Sequence, residues 1–382
     1  MTPERIRGFF THIGVHASAH PMEANRYSLS TTDLHAALLG GARAATRRYG
    51  LPESWATRME DDGCITSWPD GDPRVGESIP RLMLRSSATR SEMGLNFGGN
   101  HFLELQAVDR IVDAETAARW GLRAGQLVVM YHLGPGTFGG TLLHHLSRRL
   151  KTSRERVPVY FTAKLLFHYL QRARQGRLWD KWGLHFRRNE FTAIPAESDA
   201  GKLFRRALTM ATNVGSAYRM ATVRAVLDGL ASAITPGVRA ELLCDVSHNG
   251  IHQDADAGGH LWTARHNACR LVAGAPTIVA GSSDVPSYLG LGDSGHGEQL
   301  IDSYDHGAGH LIELARGTAD ATPADGHVLR VRMDRGRNAR VLSTQRVPMR
   351  SAGPIERLME CFEAHRAMRP VVRLRPIATL KN

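Results

Sequence analysis

The sequence predicts one domain of mixed α and β structure (α+β). Its 382 residues are enough for one large domain or two ordinary ones, and 42% are hydrophobic against 22% charged, which is typical of a globular protein. Helix-like and strand-like patterns alternate along the chain, with no internal repeat and no low-complexity linker between them. One domain over residues 1–382 therefore fits better than two.

Hydrophobic periodicity and capping signals predict the individual elements. The stretch TTDLHAALLGGARAATRRY (31–49) predicts a helix with Thr31 or Thr32 as its N-cap, whereas residues 52–82 are rich in Asp, Pro, Gly and Ser and predict a loop. Further helices are predicted at 141–150, 199–233 and 354–367. The predicted strands are LVVMYHL (127–133, buried), VPVYFTAKLL, ELLCDVSHN, PTIVAGSS and HVLRVRM.

Composition limits the environment and the partners. No run of 18 apolar residues exists and the N-terminus lacks the apolar core of a signal peptide, so no membrane association is expected. Four widely spread cysteines indicate a reducing cytoplasm rather than a disulfide framework. The net charge of +11 favours polyanionic partners such as nucleic acid, although a basic soluble protein would show the same excess.

A glycine-rich loop, GPGTFG (134–139), lies between a predicted strand and a predicted helix. This context suits a dinucleotide fold, but the next predicted strand, VPVYFTAKLL, ends without the acidic residue that would hold a ribose. The loop could instead bind a phosphate through its backbone N–H groups.

Three histidines stand at element boundaries beside Asn or Gly: His101 in GGNHFLEL, His132 at the end of a strand, and His248 after ELLCDVS. Imidazoles that converge from separate strand ends commonly form transition-metal sites, although each could be an ordinary loop histidine. The spacing of His248 and His252 is interrupted by Asn249-Gly250 and is read as accidental, and the adjacent pair at 144–145 is read as structural.

The stretch SYDHGAGHL (303–311) places His306 in a glycine-rich turn. Gly307 and Gly309 allow the backbone to pass close to a ligand, and histidine forms covalent intermediates with phosphoryl groups. Upstream, AGSSDVPSYLGLG (280–292) offers small hydroxyl residues that could hydrogen-bond a base or a phosphate.

Taken together and in order, these stretches resemble the RtcB family of RNA-splicing ligases, from about residue 28 to the end. The motifs are GGNHFLELQAVDRI, VVMYHLGPGTFGG, DVSHN, GAPTIVAGSSDVPSY, DHGAGH and RLRPIATLKN. The resemblance implies one large domain with mixed and antiparallel sheets in a sandwich-like core flanked by helices. It also implies a GTP- and Mn²⁺-dependent ligase that joins an RNA 3′-phosphate or 2′,3′-cyclic phosphate to a 5′-hydroxyl through a guanylylated histidine.

The resemblance also assigns roles to single residues. His306 matches the nucleophile, and His101, His132 and His248 match the metal-binding histidines. The residues matched to the guanine nucleotide are Asn100, Glu104, Ser282, Ser287 and Lys381, with Glu104 on the guanine edge. The implied substrates are broken or intron-cleaved tRNA and rRNA ends in the cytoplasm, joined by a monomer or weak oligomer without membrane contact.

Several positions depart from the family pattern. The family's Asp-x-x-Cys metal motif has no counterpart ahead of His101, so the start is expected to be internal to a longer reading frame or to be a natural remnant. Asp61 and Cys64 have the same spacing and are candidate substitutes. The glycine loop lacks an arginine, and His266, His310 and Asp305 replace a lysine, an arginine and a cysteine.

These departures leave three hypotheses. The first is a divergent RNA ligase, favoured because both the nucleophile and the base pocket are retained. The second is a catalytically impaired homologue that binds guanine nucleotide or RNA. The third is a metal-dependent phosphohydrolase that acts on phosphate ends.

Overall fold

We describe a computed structural model of the chain, over residues 2–17, 25–91, 97, 101–149, 196–256, 259–293, 301–306, 323–333 and 341–381. Within these ranges no helix is both long enough and apolar enough to cross a membrane. The architecture is a mixed α and β domain, as predicted.

One half of the structure is built from long helices: α1 (Pro3–Ala17), α2 (Thr31–Tyr49), and further along the chain the 35-residue Asp199–Ala233, which packs against both. Their apolar faces form a core that includes the fully buried Phe9 and Phe10 of α1. The N-cap of α2 is Ser30, not Thr31 or Thr32, because Asp33 and Ser30 complete a capping box.

The predicted loop at 52–82 is only partly irregular. It contains short helical segments, which continue to residue 91. These are the 3₁₀ turns Glu53–Arg58, Glu60–Gly63 and Pro69–Gly71, and the helices α3 (Val75–Ser78), α4 (Arg81–Arg85) and α5 (Ala88–Ser91).

The other half is built around β-sheet. In chain order the elements are β1 (Phe102–Ile111), α6 (Ala114–Arg119), β2 (Leu127–His132), α7 (Gly136–Arg149), α8 (Asp199–Ala233), β3 (Asn249–Asp256), β4 (Gly259–His266), β5 (Ala268–Arg270), β6 (Pro276–Val279), β7 (Ser287–Gly292), β8 (Ser303–Asp305), β9 (Pro323–Met333), β10 (Val341–Arg350), α9 (Gly353–Ala364) and β11 (Met368–Leu380).

The main sheet has seven strands in these ranges, and β11 is its centre. Along one edge β11 pairs antiparallel with β1, and along the other it pairs first with β7 and then, in parallel, with β9. Strand β2 adds to β1, β10 adds to β9, and β6 adds to β7. Strands β3 and β4 form a separate hairpin, and β5 pairs with β8. Such a mostly antiparallel sheet flanked by helices is the predicted fold class.

Most predicted elements are confirmed, including the helix at 199–233 and the last helix. The strand LVVMYHL is confirmed as β2, but it is half-buried rather than buried, because it borders a cavity. The predicted strand ELLCDVSHN is wrong: residues 241–248 form no ladder, only an isolated bridge between Asp245 and Met59, and β3 begins at Asn249. Helix α7 begins at Gly136, so the glycine-rich loop supplies its first turn. The stretch VPVYFTAKLL lies outside the described residues.

Candidate active site

Four histidines from four separate segments meet at one place. His101 directly precedes β1, His132 ends β2, His248 directly precedes β3 and His306 follows β8. The ring centroid of His132 lies 4.4 Å from that of His248, 4.9 Å from that of His306 and 5.6 Å from that of His101. The rings of His248 and His306 stack at 4.5 Å. The structure therefore brings together the histidines that the sequence singled out.

The cluster favours neutral imidazoles. Burial, followed by the neighbouring histidines, lowers the pKa of His132 to about 3 and that of His248 to about 2. Their Nε2 atoms are 3.0 Å apart. The Nδ1 atom of His306 lies 2.7 Å from the carbonyl oxygen of Asn267. Because a carbonyl only accepts, Nδ1 carries the proton and the lone pair of His306 is on Nε2.

This arrangement suits a divalent transition metal. One nitrogen from each of His132, His248 and His306 lies within 4.8 Å of the others. The Nε2 atoms of His132 and His248 are close enough for one ion to contact both. His306, the predicted nucleophile, is one of these three, whereas His101, a predicted metal ligand, contacts them through the ring of His132.

The carboxylate of Glu104 lies inside the sheet and is only 4% exposed. Its Oε1 accepts a hydrogen bond from Thr379 Oγ1 at 2.9 Å and its Oε2 accepts one from Gln106 Nε2 at 2.8 Å. Burial raises the pKa of Glu104 to about 7, opposed by these two hydrogen bonds and by the charge of Lys381. Gln106 and Thr379 did not stand out in the sequence. Gln106 is two residues from Glu104 and so lies on the same face of the strand, and this spacing could have predicted their contact.

The other four predicted nucleotide-binding residues differ in their surroundings. Ser287 accepts hydrogen bonds from the amide of Gln106 at 3.2 Å and from Gly281 N at 3.0 Å, so it belongs to the Glu104 network. Ser282 lies in the adjoining loop and donates to Asp284 at 2.7 Å. Lys381 directly follows β11 and is near enough to Glu104 for its charge to lower the pKa of that carboxyl. Asn100 lies outside the described residues.

A second group of possible ligands is formed by Glu60, Asp61 and His252. The Nε2 atom of His252 lies 3.2 Å from Asp61 Oδ2 and 3.5 Å from Glu60 Oε1. However, Arg265 Nη1 donates to His252 Nδ1 at 3.2 Å, which places the neutral ring's proton on Nε2. In this tautomer Nε2 of His252 carries the proton and faces the carboxylates, so it has no lone pair for a metal. Arg270 Nη1 lies 3.5 Å from Asp61 Oδ1, so the group is part of a polar network with Arg265 and Arg270.

This network bears on two predictions and on the contacts of Arg265. His248 and His252 lie in different groups, which supports the reading of their spacing as accidental. Cys64 belongs to neither group; it is buried, and its Sγ contacts the carbonyl of Leu39 at 3.3 Å. The guanidinium of Arg265 donates to Asp254 at 2.5 Å and to Ser303 at 2.9 Å, so it is held by protein groups.

A cavity of about 700 Å³ opens beside the histidine cluster. It lies between β2, α8 and the extended segment 238–246, and it reaches His132, His248 and His306. Its walls are mostly apolar, with the side chains of Arg58, Arg123 and Arg239 among its polar groups. A pocket of this size is within the range that binds small ligands.

Comparison with known proteins agrees with this geometry. A family model described as tRNA-splicing ligase RtcB matches residues 6–382. The chain is 24% identical over 382 residues to the tRNA-splicing ligase RtcB of Pyrococcus horikoshii, covering 94% of this chain and 40% of that protein. It is 26% identical over 382 residues to the tRNA-splicing ligase RtcB of Pyrobaculum aerophilum, covering 93% of this chain and 71% of that protein.

A bacterial relative gives the same result. The RNA-splicing ligase RtcB of Mycobacterium tuberculosis is 26% identical over 369 residues, which cover 91% of this chain and 76% of that protein. The chain thus spans less than half of the Pyrococcus relative and about three quarters of the mycobacterial one. Because the family model covers nearly all of the chain, and because the four histidines of its motifs converge, this protein belongs to the RtcB family.

Proposed function

We propose that the protein is a GTP- and Mn²⁺-dependent RNA ligase that joins an RNA 3′-phosphate or 2′,3′-cyclic phosphate to a 5′-hydroxyl. The names of its relatives support RNA-splicing ligation as the activity. The observation that carries the proposal is the protonation state of His306. Its Nδ1–H is held by Asn267, so the lone pair on Nε2 is available beside two neutral imidazoles.

The first step uses that lone pair. The Nε2 atom of His306 attacks the α-phosphorus of GTP, an N–P bond forms, and the bond to the β-phosphate oxygen breaks with release of pyrophosphate. A divalent ion held by His132 and His248, with His101 adjacent, would neutralise the triphosphate charge. The Nδ1–H bond to Asn267 stabilises the positive charge that develops on the ring during the attack.

The remaining steps transfer GMP and then release it. A 2′,3′-cyclic phosphate is first opened by water, which cleaves the P–O2′ bond and leaves a 3′-phosphate. An oxygen of the RNA 3′-phosphate then attacks the phosphorus on His306, and the N–P bond breaks. The 5′-hydroxyl then attacks the activated 3′-phosphate, and GMP leaves as the 3′–5′ phosphodiester forms. Glu104, when ionised, is suited to accept hydrogen bonds from the N1–H and the amino group of guanine, with Ser287 in the same network and Lys381 nearby.

A second candidate function is binding of guanine nucleotide or RNA without turnover. The observation that favours it concerns position 266, where His266 replaces the lysine of the family pattern. The neighbouring Arg265 does not supply the missing charge, because its guanidinium is held by Asp254, Ser303 and His252. Loss of charge stabilisation of this kind can cost orders of magnitude in rate while binding persists.

The test of the first step is covalent labelling with GTP that carries its label on the α-phosphate, in the presence of Mn²⁺. We expect label that survives denaturation in the parent protein and in the control His35→Ala, whose side chain is exposed on α2. We expect none in His306→Ala. Equilibrium binding of GTP without covalent label in the parent would favour the second function. Label that persists in His306→Ala would refute the assignment of the nucleophile.

A further inference from the structure

A buried ion pair lies behind the histidine cluster. The side chain of Asp245 is 1% exposed and that of Arg219, on α8, is 9% exposed. Arg219 Nε lies 2.7 Å from one carboxylate oxygen of Asp245 and 2.9 Å from the other. Charges this deeply buried require close partners, because an unpaired one costs several kcal/mol.

The same carboxylate joins the two segments that carry His132 and His248. The hydroxyl of Tyr131, the residue before His132, donates to Asp245 Oδ2 at 2.7 Å. Asp245 itself lies three residues before His248. Within the described ranges β2 pairs only with β1, so this hydrogen bond is a direct link between the two histidine-bearing segments.

Further contacts hold the segment from Asp245 to His248. Arg219 Nη2 donates to Ser247 Oγ at 3.1 Å, and Ser247 N donates to the carboxylate of Glu60 at 2.7 Å. The backbone of Asp245 exchanges two hydrogen bonds with the chain at 58–60, of 3.1 and 2.8 Å. The segment is thus fixed at Asp245 and at Ser247, directly before the residue that enters the cluster.

Apolar packing cannot supply the same restraint. In a close-packed core, side chains between two segments fix the distance between them. Here the cavity of about 700 Å³ lies between β2 and residues 238–246, so such packing is missing at this point. The polar link formed by Tyr131, Asp245 and Arg219 therefore replaces core packing at this point. The Nε2 atoms of His132 and His248 are only 3.0 Å apart, so a small shift of either segment would break their contact.

We propose that Tyr131, Asp245 and Arg219 are positioning residues that set the separation of His132 and His248, and through it the metal affinity of the cluster. The part that concerns metal rests on the proposed function; the part that concerns the histidine separation does not. All three residues line the cavity, and their effect on the two histidines is exerted through the backbone of the residues they hold.

The experiment compares Tyr131→Phe with Tyr49→Phe, a control that removes another buried hydroxyl, which donates to the carbonyl of Tyr27 at 2.6 Å. The first readout uses metal-free protein labelled with ¹⁵N in histidine. In the parent, one proton shared by the Nε2 atoms of His132 and His248 gives a coupling between the two nitrogens. We expect this coupling to be lost in Tyr131→Phe and kept in Tyr49→Phe.

The second readout is titration with Co²⁺, followed by its absorption spectrum. We expect Tyr131→Phe to weaken binding about tenfold, the lower end of the range for residues that orient metal ligands. Thermal unfolding of the metal-free protein should respond alike in both variants. Asp245→Asn should weaken Co²⁺ binding further, because it leaves Arg219 facing a neutral group.

The outcomes separate the two proposals. Coupling that persists in both Tyr131→Phe and Asp245→Asn, with unchanged Co²⁺ affinity, would overturn the positioning role, as would a parent without the coupling. If the parent does not bind Co²⁺ but the coupling is lost in Tyr131→Phe, the metal-dependent part of the proposed function fails while the positioning role stands.

Discussion

Replacing Glu104 by Gln should change how the stability of the protein depends on pH. The Glu104 carboxyl is raised from an ordinary pKa of 4.5 to about 7 because it is buried. A folded state that holds the proton more tightly than the unfolded state loses stability as the pH rises from the unfolded pKa through the folded one. Below pH 4.5 both states are protonated and this loss is absent.

The size of the effect follows from the shift. At 1.36 kcal/mol per pKa unit, ionisation of Glu104 in the folded protein costs about 3 kcal/mol at pH 8 relative to pH 4. Glu104→Gln keeps an amide of similar shape against Thr379 and removes the titration. The stability of the parent relative to the variant should therefore fall by about 3 kcal/mol between pH 4.5 and pH 8.

The assay is urea unfolding of the metal-free parent and variant at intervals from pH 4.5 to pH 8, followed by circular dichroism. Because other groups titrate equally in both proteins, the difference between them isolates Glu104. A matched variant, Glu115→Gln on the short helix α6, controls for the loss of one exposed carboxylate. If the difference changes by less than about 1 kcal/mol, or falls in the opposite direction, the high pKa of Glu104 is refuted.

Three further outcomes follow from the site. Guanosine, which has no phosphate to titrate, should bind about tenfold more weakly at pH 6 than at pH 8, because the proposed guanine contact needs the ionised form of Glu104. Calorimetry measures this affinity, and equal binding at both pH values would contradict the proposed role. Co²⁺ affinity should change less than about threefold between pH 6 and pH 8, because His132 and His248 are already neutral. A titration in which the affinity rises steeply with pH would instead indicate that the histidines are protonated. Asn267 has φ +56°, so Asn267→Ala should lower the free energy of unfolding in urea by about 1 kcal/mol. Asn267→Gly should keep both the stability and the carbonyl that accepts from His306, and loss of covalent labelling in this variant would refute that reasoning.

Much of the fold follows from local patterns. Residues 199–233 carry an uninterrupted helical pattern, and the structure has a helix with those bounds because Ser198 caps its start and its apolar face is buried against α2. The N-cap of α2 was predicted one or two residues late, since the choice among three successive hydroxyl residues depends on which of them Asp33 can reach. Long elements are therefore predictable, but their ends depend on a few side-chain contacts.

The wrong strand at ELLCDVSHN has a different cause. Its apolar residues suit a strand, but a strand also needs a neighbouring edge with which to pair, and here the cavity lies between this segment and β2. The placement of Asp245 inside that apolar run is a signal of a buried polar partner. The identity of the partner, Arg219 on a distant helix, is a property of the folded chain.

The part of the candidate site that could be predicted consists of histidines at the ends of strands. His101, His132, His248 and His306 each stand next to a strand end, and they meet in the structure. What the sequence could not supply is the tautomer of His306, which is set by the carbonyl of Asn267, 39 residues away. Nor could it show that Thr379 faces Glu104 across 275 residues.

The central place of β11 has a consequence for folding. This strand is the last one in the described sequence, yet it is the one that joins the pairs β1–β2, β6–β7 and β9–β10 into one sheet. A growing polypeptide can form α1, α2 and α8 early, but the sheet, and with it the environment of Glu104, can assemble only after synthesis has reached residue 380. Until then the edges of β1 and β9 are open, and such edges invite aggregation. We therefore expect this protein to form the surface around Glu104, where we propose that guanine binds, after its helical half and as a late, non-local event in folding.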